Sequence, residues 1–402
     1  MIPFEVFKEL AMKTPTRIVV FIIDGLGGLP SPDNGKTELE TAQTPNLDKL
    51  AASSICGLTD PVRPGITPGS GPAHLSLFGY DPLQYLIGRG ALSAVGIGFH
   101  LQPNDVAARV NFATVDEQGR VTDRRAGRIS TETNRRLVEM LRQIRLPGVE
   151  TFVETESGHR AVVVLRGPGL SDELTDSDPQ VVGQPPKTVE ALASGAQKTA
   201  QLANDFLAQA ARVLKDQHPA NMILMRGFAK PPSIPSFYEL YKLTPAAIAV
   251  YPMYRGLAKL IGMELLDVKG SSLADEIQAL RDNFDRYDYF FLHWKAADTA
   301  GEDGDFSRKV SVMEEVDAHI PALLALEPDV LVVTGDHRTP SVLRSHSWHP
   351  VPFALHSRWV VPDGLPAFNE RELARGSLGR FPAMEAMGLM MGYAQKLARY
   401  GA

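Results

Sequence analysis

Three apolar runs in this chain each stop on residues that bind cations or protons. IVVFII is followed by Asp24, YFFLHWKAAD reaches Asp298, and LVVTGDH ends on Asp336 and His337. A fourth candidate, Ser70, stands between two glycines in PGITPGSGPAHLSLFGY, Pro64 to Tyr80, just ahead of a short helical pattern. Carboxylates and an imidazole gathered in one place hold a divalent cation, and a hydroxyl beside such a cation becomes a nucleophile. Asp298 and Glu302 in DTAGEDGD are four residues apart, near enough to share one ion, and His346 and His349 follow in HSWHP. Mixed carboxylate and imidazole ligation suits Mn²⁺ or Zn²⁺ better than the all-oxygen cages of Ca²⁺ or Mg²⁺. Each residue also has a plain reading. Ser70 alone is an N-cap serine, Asp303 and Asp305 are a solvated turn, and His293 inside YFFLHW is a satisfied core histidine.

The elements that must position these groups follow from the same runs. Unbroken Val, Ile, Leu and Phe, without polar alternation, marks strands buried on both faces of a parallel sheet. In open α/β sheets ligand groups collect beyond the carboxyl ends of the strands, so three such runs with acids at one end predict one convergent site. Pro72 fits a first helical turn, Leu75 and Phe78 are three apart, and Gly79 reads as the stop. Ser70 then sits at the N-terminal mouth, where backbone N–H groups and the helix dipole favour a phosphoryl group. The GLGGLPSPDNGKTE stretch after Asp24 is a long site-lining loop; Asp24 at its head repels phosphate unless a metal intervenes, which argues against a dinucleotide site. Thr44 and Pro45 open a helix over NLDKLAASS, and Ala196 to Lys215 carries Leu202, Phe206, Leu207 and Ala210 at helical spacing as scaffold.

With 47 acidic and 41 basic residues among 402, the chain has no call for a nucleic-acid partner or an anionic membrane surface. Any anion specificity must be local. Arg120 to Arg145 supplies it, with eight arginines against Asp123, Glu132 and Glu139. Arg135, Arg136, Arg142 and Arg145 read as the solvated face of a helix. Arg109, Arg124, Arg125, Arg128 and Arg160 are candidates for clamping a small dianion, because guanidinium forks match phosphate and carboxylate geometry. The single Cys56 excludes an intrachain disulfide framework and suits a reducing compartment. The opening segment lacks the apolar core of a signal peptide and no run reaches the length of a membrane span, so a cytoplasmic protein is expected. The sequence leaves a homo-oligomer open.

The motifs IDGLGG, PGSGPAHLSLFGYDP, GRGAL, NFATVD, DRRAGRI, NMILMRG, YRGLAKLIGM, TGDH and HSWHPVP run in order over nearly the whole chain. Together they resemble the archaeal-type cofactor-independent phosphoglycerate mutases of the alkaline phosphatase superfamily. The resemblance implies an α/β fold with an alkaline-phosphatase-like, doubly wound, mostly parallel sheet. Residues 1–84 and 220–402 would form the metal-binding domain, and residues 85–219 an inserted smaller α+β substrate-binding domain. The implied activity interconverts 3-phosphoglycerate and 2-phosphoglycerate without bisphosphoglycerate, Ser70 taking the phosphoryl group.

On that pattern one of two divalent metals is held by Asp24, Ser70, Asp336 and His337, and the other by Asp298, Glu302 and His346. The substrate set is Arg109, Asp123, Arg124, Arg125, Arg128 and Arg160. An inserted domain closing over the metal domain would keep water from the intermediate. The family usually has His where this chain has Glu302, reading DEAGHDGD against DTAGEDGD; the harder, anionic glutamate shifts preference toward Mn²⁺, with Zn²⁺ second. The alternative is a metal-dependent phosphomonoesterase or phosphonate hydrolase that shares the metals and Ser70 but releases phosphate to water. A third reading is a metal-binding regulatory protein whose catalysis has lapsed, with Glu302 as the lesion.

Overall fold

A computed structural model describes residues 3–401. The chain divides into two compact units, Met1–Leu86 with Ile234–Ala402, and Ile87–Ser233. The first is built on an eight-stranded sheet in the order Gly379–Pro382, Ile55–Asp60, Val351–Ser357, Val330–Thr334, Ile18–Ile23, Tyr289–Trp294, Pro245–Ile248, Glu264–Leu265. Val351–Ser357 runs antiparallel to both its neighbours, and every other pairing is parallel. The fold is therefore α/β with a mostly parallel sheet.

The three apolar runs become its centre. Ile18–Ile23 lies between Val330–Thr334 and Tyr289–Trp294, and Ile22 pairs with both Thr334 and His293. The strands end level, so the residues after them emerge side by side, at the roughly 4.8 Å spacing of neighbouring strands. Ile18–Ile23 and Val330–Thr334 are buried throughout, which is why their side chains show no polar alternation. Alternate residues Val19, Phe21 and Ile23 share a core with Leu292, Val333 and, from the helix Phe306–Leu324, Val312, Met313 and Val316.

The serine stretch folds as the helix Ser70–Leu77, with Gly69 as N-cap and everything from Ala73 to Leu77 buried. Helices Pro45–Ala52 and Gln197–Leu214 appear where spacing placed them. Cys56 lies inside the sheet; burial, with Asp363 adding to it, pushes its thiol up to about 12, so it serves as a small apolar residue. Among the described residues no helix is long and apolar enough to cross a membrane.

The second unit is a five-stranded antiparallel sheet. Asp105–Val115 pairs with Val121–Asp123, Arg160–Arg166 and Met222–Ala229, and Arg160–Arg166 pairs in turn with Glu150–Ser157. Helices Thr131–Leu141 and Gln197–Leu214 contribute Leu137, Val138, Leu141, Ala203, Phe206 and Ala210 to its core. The division at 87 and 233 differs from the expected one at 85 and 219. NMILM has the unbroken apolar look of a parallel strand, yet Phe112 pairs with Ile223 and Asn111 with Leu224. An antiparallel edge strand covered on both faces looks the same in sequence, so periodicity alone does not separate the two.

Candidate active site

The level ends of the central strands deliver the candidate ligands together. Asp24 follows Ile18–Ile23, Asp336 and His337 follow Val330–Thr334, and Asp298 sits in the first turn of the helix Ala296–Asp303 after Tyr289–Trp294. Asp24, Asp336 and His337, all buried, offer ligand atoms within 4.8 Å of one another. Asp298, His337 and His346 form a second group of the same tightness, so His337 belongs to both. Ser70 Oγ is 3.2 Å from His337 Nε2, which lies 3.5 Å from Asp24 Oδ1. Asp24 Oδ1 and Asp336 Oδ2 are buried with no hydrogen-bond partner; His337 Nε2 comes within 3.1 Å of the latter but out of line. Buried anionic oxygens without donors are costly, and a divalent cation answers that need. The donor set therefore fits divalent cations.

Hydrogen bonding behind the ligands fixes which imidazole nitrogen faces inward. The Thr339 hydroxyl donates to Asp298 Oδ1 at 2.6 Å, so its lone pair is left to accept from His337 Nδ1 at 3.1 Å. His337 Nε2 is thereby presented to the cluster. His346 Nδ1 is 3.0 Å from the Pro68 carbonyl, which can only accept, and this turns Nε2 toward Asp298 Oδ1 at 3.6 Å. Burial pulls the His337 pKa down, but Asp336, Asp24 and Asp298 outweigh it and hold it at about 9. A cation held there would displace that proton. Burial opposes ionisation of Asp24, yet Lys295, His293 and His337 hold its carboxyl well below the usual range.

The loops are pinned as well. The Lys309 ammonium, fully buried, donates to the carbonyls of Gly25, Gly27 and Thr339 at 2.9, 2.8 and 2.7 Å. Gly25 has φ +74°, and a Cβ there would lie 2.7 Å from Asp298 Cα and 2.8 Å from Thr339 Oγ1. Only glycine lets the loop after Asp24 pass so close to the Asp298 helix.

Asp24, Ser70, Asp298, Asp336, His337 and His346 thus come together as their positions suggested. Glu302 stands at the rim, its side chain 57% exposed and its Oε1 3.9 Å from His346 Nε2, outside both tight groups. His349 contacts Ser347 Oγ at 3.2 Å and stacks on Trp348. Asp305 caps the helix Phe306–Leu324, and Asp303 pairs with Arg308. His293 is buried, with Nε2 3.1 Å from Asp24 Oδ2, so the core histidine is satisfied by a site carboxylate. Three neighbours escaped the sequence reading: Lys295, whose ammonium bridges Asp298 Oδ2 at 2.7 Å and Asp24 Oδ2 at 3.1 Å; Tyr254, which donates to Asp24 Oδ2; and His74, 2.8 Å from the Ser70 carbonyl. A lysine directly after a buried strand was the one available signal.

In the second unit four of the expected residues lie within electrostatic reach of His159. Burial, together with Arg160, Arg125, Arg109 and Arg128, pulls His159 down to about 4. Burial lowers Arg109 to about 10, opposed by Glu156 and assisted by Arg160, Arg89 and Arg226; Arg226 is its cross-strand partner. Arg124, also expected in the substrate set, has its Nε and Nη2 paired with the buried Asp178 carboxylate at 2.9 and 2.6 Å. Asp123 accepts the backbone N–H groups of Arg125 and Gly127 at 2.8 and 2.6 Å, and so shapes the turn that carries the arginines.

Residues 51–221 match the family described as 2,3-bisphosphoglycerate-independent phosphoglycerate mutase. A Thermus thermophilus protein named "Probable 2,3-bisphosphoglycerate-independent phosphoglycerate mutase" is 53% identical over 403 residues, 99% of each chain. The chain belongs to this family. An Aquifex aeolicus relative of the same name is 47% identical over 99% of this chain and 100% of its own. A solved structure of a Pyrococcus horikoshii protein has a TM-score of 0.84 at 30% identity, covering 97% of this chain and all of the other. The cofactor-independent phosphoglycerate mutase from Thermoplasma acidophilum has a TM-score of 0.71 at 32% identity, over 94% of this chain and all of that one. Membership agrees with the motif resemblance, and these similarities extend across both units.

Proposed function

We propose that the chain interconverts 3-phosphoglycerate and 2-phosphoglycerate through a phosphorylated Ser70, a step of glycolysis and gluconeogenesis placed in the cytoplasm. The observation that carries this reading is the Ser70 hydroxyl at a helix N-terminus, 3.2 Å from the one imidazole shared by both ligand groups. Asp24, Ser70, Asp336 and His337 would hold one divalent cation, and Asp298 and His346, with Glu302 at the rim, the other. Mn²⁺ suits this carboxylate-rich set best and Zn²⁺ next. Bound there, the cations would polarise the phosphoryl oxygens and lower the pKa of the serine hydroxyl.

The remaining work falls to the chain's own residues. Ser70 Oγ attacks phosphorus in line and the glycerate oxygen leaves. The helix N-terminus supplies N–H groups and dipole to the phosphoryl oxygens. Arg109, Arg125, Arg128 and Arg160 supply the cationic forks that the glycerate carboxylate and phosphate require, so the glycerate stays held while its hydroxyls exchange. The other hydroxyl then takes the phosphoryl group back and Ser70 is restored. The test is incubation of metal-loaded protein, with Mn²⁺ and Zn²⁺ separately, with 3-phosphoglycerate, following 2-phosphoglycerate and free phosphate together. Formation of 2-phosphoglycerate with little phosphate, abolished by Ser70→Ala, supports the mutase. Phosphate release alone makes the chain a phosphomonoesterase, and activity surviving Ser70→Ala removes the serine from the mechanism.

A further inference from the structure

Asp24 and Asp298 each divide their two oxygens between a ligand group and one lysine. Asp24 Oδ1 lies 3.5 Å from His337 Nε2, and Asp298 Oδ1 lies 3.6 Å from His346 Nε2. The opposite oxygens, Asp24 Oδ2 and Asp298 Oδ2, meet the Lys295 ammonium at 3.1 and 2.7 Å. Lys295 therefore stands behind one carboxylate of each group. Among the described residues the other ion-pair partners of Asp24, Asp298 and Asp336 are all histidines, so Lys295 is the only lysine or arginine on these three acids. The Tyr251 and Tyr254 rings flank it, their centroids 5.5 and 5.6 Å from Nζ.

Local preference does not account for a lysine at this position. Lys295 is the N-cap of the helix Ala296–Asp303 and makes no side-chain cap bond. Ser, Thr, Asp or Asn would satisfy the orphan N–H groups there, and the positive end of the helix dipole disfavours a cation. A residue that breaks the local rule is kept for what it contacts. Asp24, Asp298 and Asp336 are buried side by side, and their mutual repulsion is costly until positive charge joins them. Lys295 supplies one such charge and ties Asp24 to Asp298. The same charge opposes a dication on the far side of either carboxylate, because like charges one carboxylate apart repel strongly in a dry site.

We infer that Lys295 is the resident counter-cation of both ligand groups: a positioning residue that keeps Asp24 and Asp298 assembled before divalent cations bind, and whose charge weakens cation binding at both. The inference rests on the reading of the two groups as cation sites. Lys295→Met removes the charge and keeps an unbranched side chain. In calorimetric titration of the metal-free full-length variant with Mn²⁺, both binding steps tighten about 10-fold, the relieved repulsion outweighing the loss of a partner behind two ligands. The metal-free melting temperature falls, and saturating Mn²⁺ raises it by more than in wild type. Lys295→Gln, which keeps a hydrogen-bond donor without the charge, shifts both Mn²⁺ affinities the same way and serves if the methionine variant does not fold. Unchanged affinities with a lower melting temperature make Lys295 a packing residue and overturn the inference, as do affinities that weaken. Tightening of one step alone overturns its sharing between the groups. Wild-type protein run alongside separates the two ideas: no Mn²⁺ binding there defeats the reading of the groups as cation sites and this inference with it, whereas equal binding in wild type and variants defeats Lys295 only.

Discussion

Thr339→Val tests whether the two ligand groups are held by one hydroxyl. Thr339 is fully buried, donates to Asp298 Oδ1 at 2.6 Å and stands 3.1 Å from His337 Nδ1. Valine keeps the β-branch and nearly the volume but strips the bond to a carboxylate and leaves the His337 Nδ1 proton without an acceptor. A hydrogen bond to a charged group contributes about 1.5–3 kcal/mol, so the metal-free variant should unfold in urea with about 2–3 kcal/mol less stability. Loss of such a partner behind a ligand lowers metal affinity about 10–100-fold, equivalent to about 1.4–2.7 kcal/mol. Because His337 serves both groups, calorimetric titration with Mn²⁺ should show both binding steps weakened. Two steps of wild-type affinity would refute the argument. Weakening of one step alone would refute the sharing of His337.

Lys309→Met orphans three buried carbonyls; at about 1–3 kcal/mol each, partly offset by removing a buried charge, the net loss should be about 3 kcal/mol in urea unfolding, and an unchanged midpoint would contradict it. Gly25→Ala forces a Cβ to 2.7 Å from Asp298 Cα at a positive φ, so bound Mn²⁺ per chain should drop sharply in direct metal analysis, and full occupancy would show that the loop yields. Arg125→Ala should lose mutase activity more than phosphatase activity, measured on one preparation, and equal loss of both would remove it from substrate holding. Burial opposes ionisation of Asp178, but Arg124 and the Gln180 N–H hold its carboxyl below the ordinary value, so its stabilisation is present above about 3.9 and is lost as pH falls through the depressed folded value. The melting-temperature gap between wild type and Asp178→Asn should therefore close on acidification below about pH 4; a gap that widens would reverse the sign.

The site was legible wherever one strand or one short motif carried the information. Unbroken apolar runs identified the three central strands, and acids at their ends identified Asp24, Asp298, Asp336 and His337. What escaped depends on neighbours that only the folded chain supplies. Tyr254 meets Asp24 across 230 residues and Lys295 does so across 271, and neither spacing leaves a pattern. Glu302 shares a helix with Asp298, but it stands in the last turn of that helix with its side chain largely exposed, a difference that helical spacing alone does not reveal. Arg124 and Arg125 are adjacent and alike in sequence. What separates them is Asp178, in a Pro-rich loop that composition marked as a connection only.

The order of strands in the central sheet has a consequence for how the chain is made. Ile18–Ile23 leaves the ribosome first, yet both its sheet neighbours are encoded near the other end, so the sheet closes around its earliest strand last. At about 5–20 residues per second, the 312 residues separating Asp24 from Asp336 take roughly 15–60 s to synthesise. For most of that interval, until Tyr289–Trp294 emerges, a six-residue, wholly apolar strand has neither partner, which exposes the nascent chain to aggregation. The candidate ligand groups are incomplete until His346 has emerged, so a complete site cannot form before most of the chain has been made.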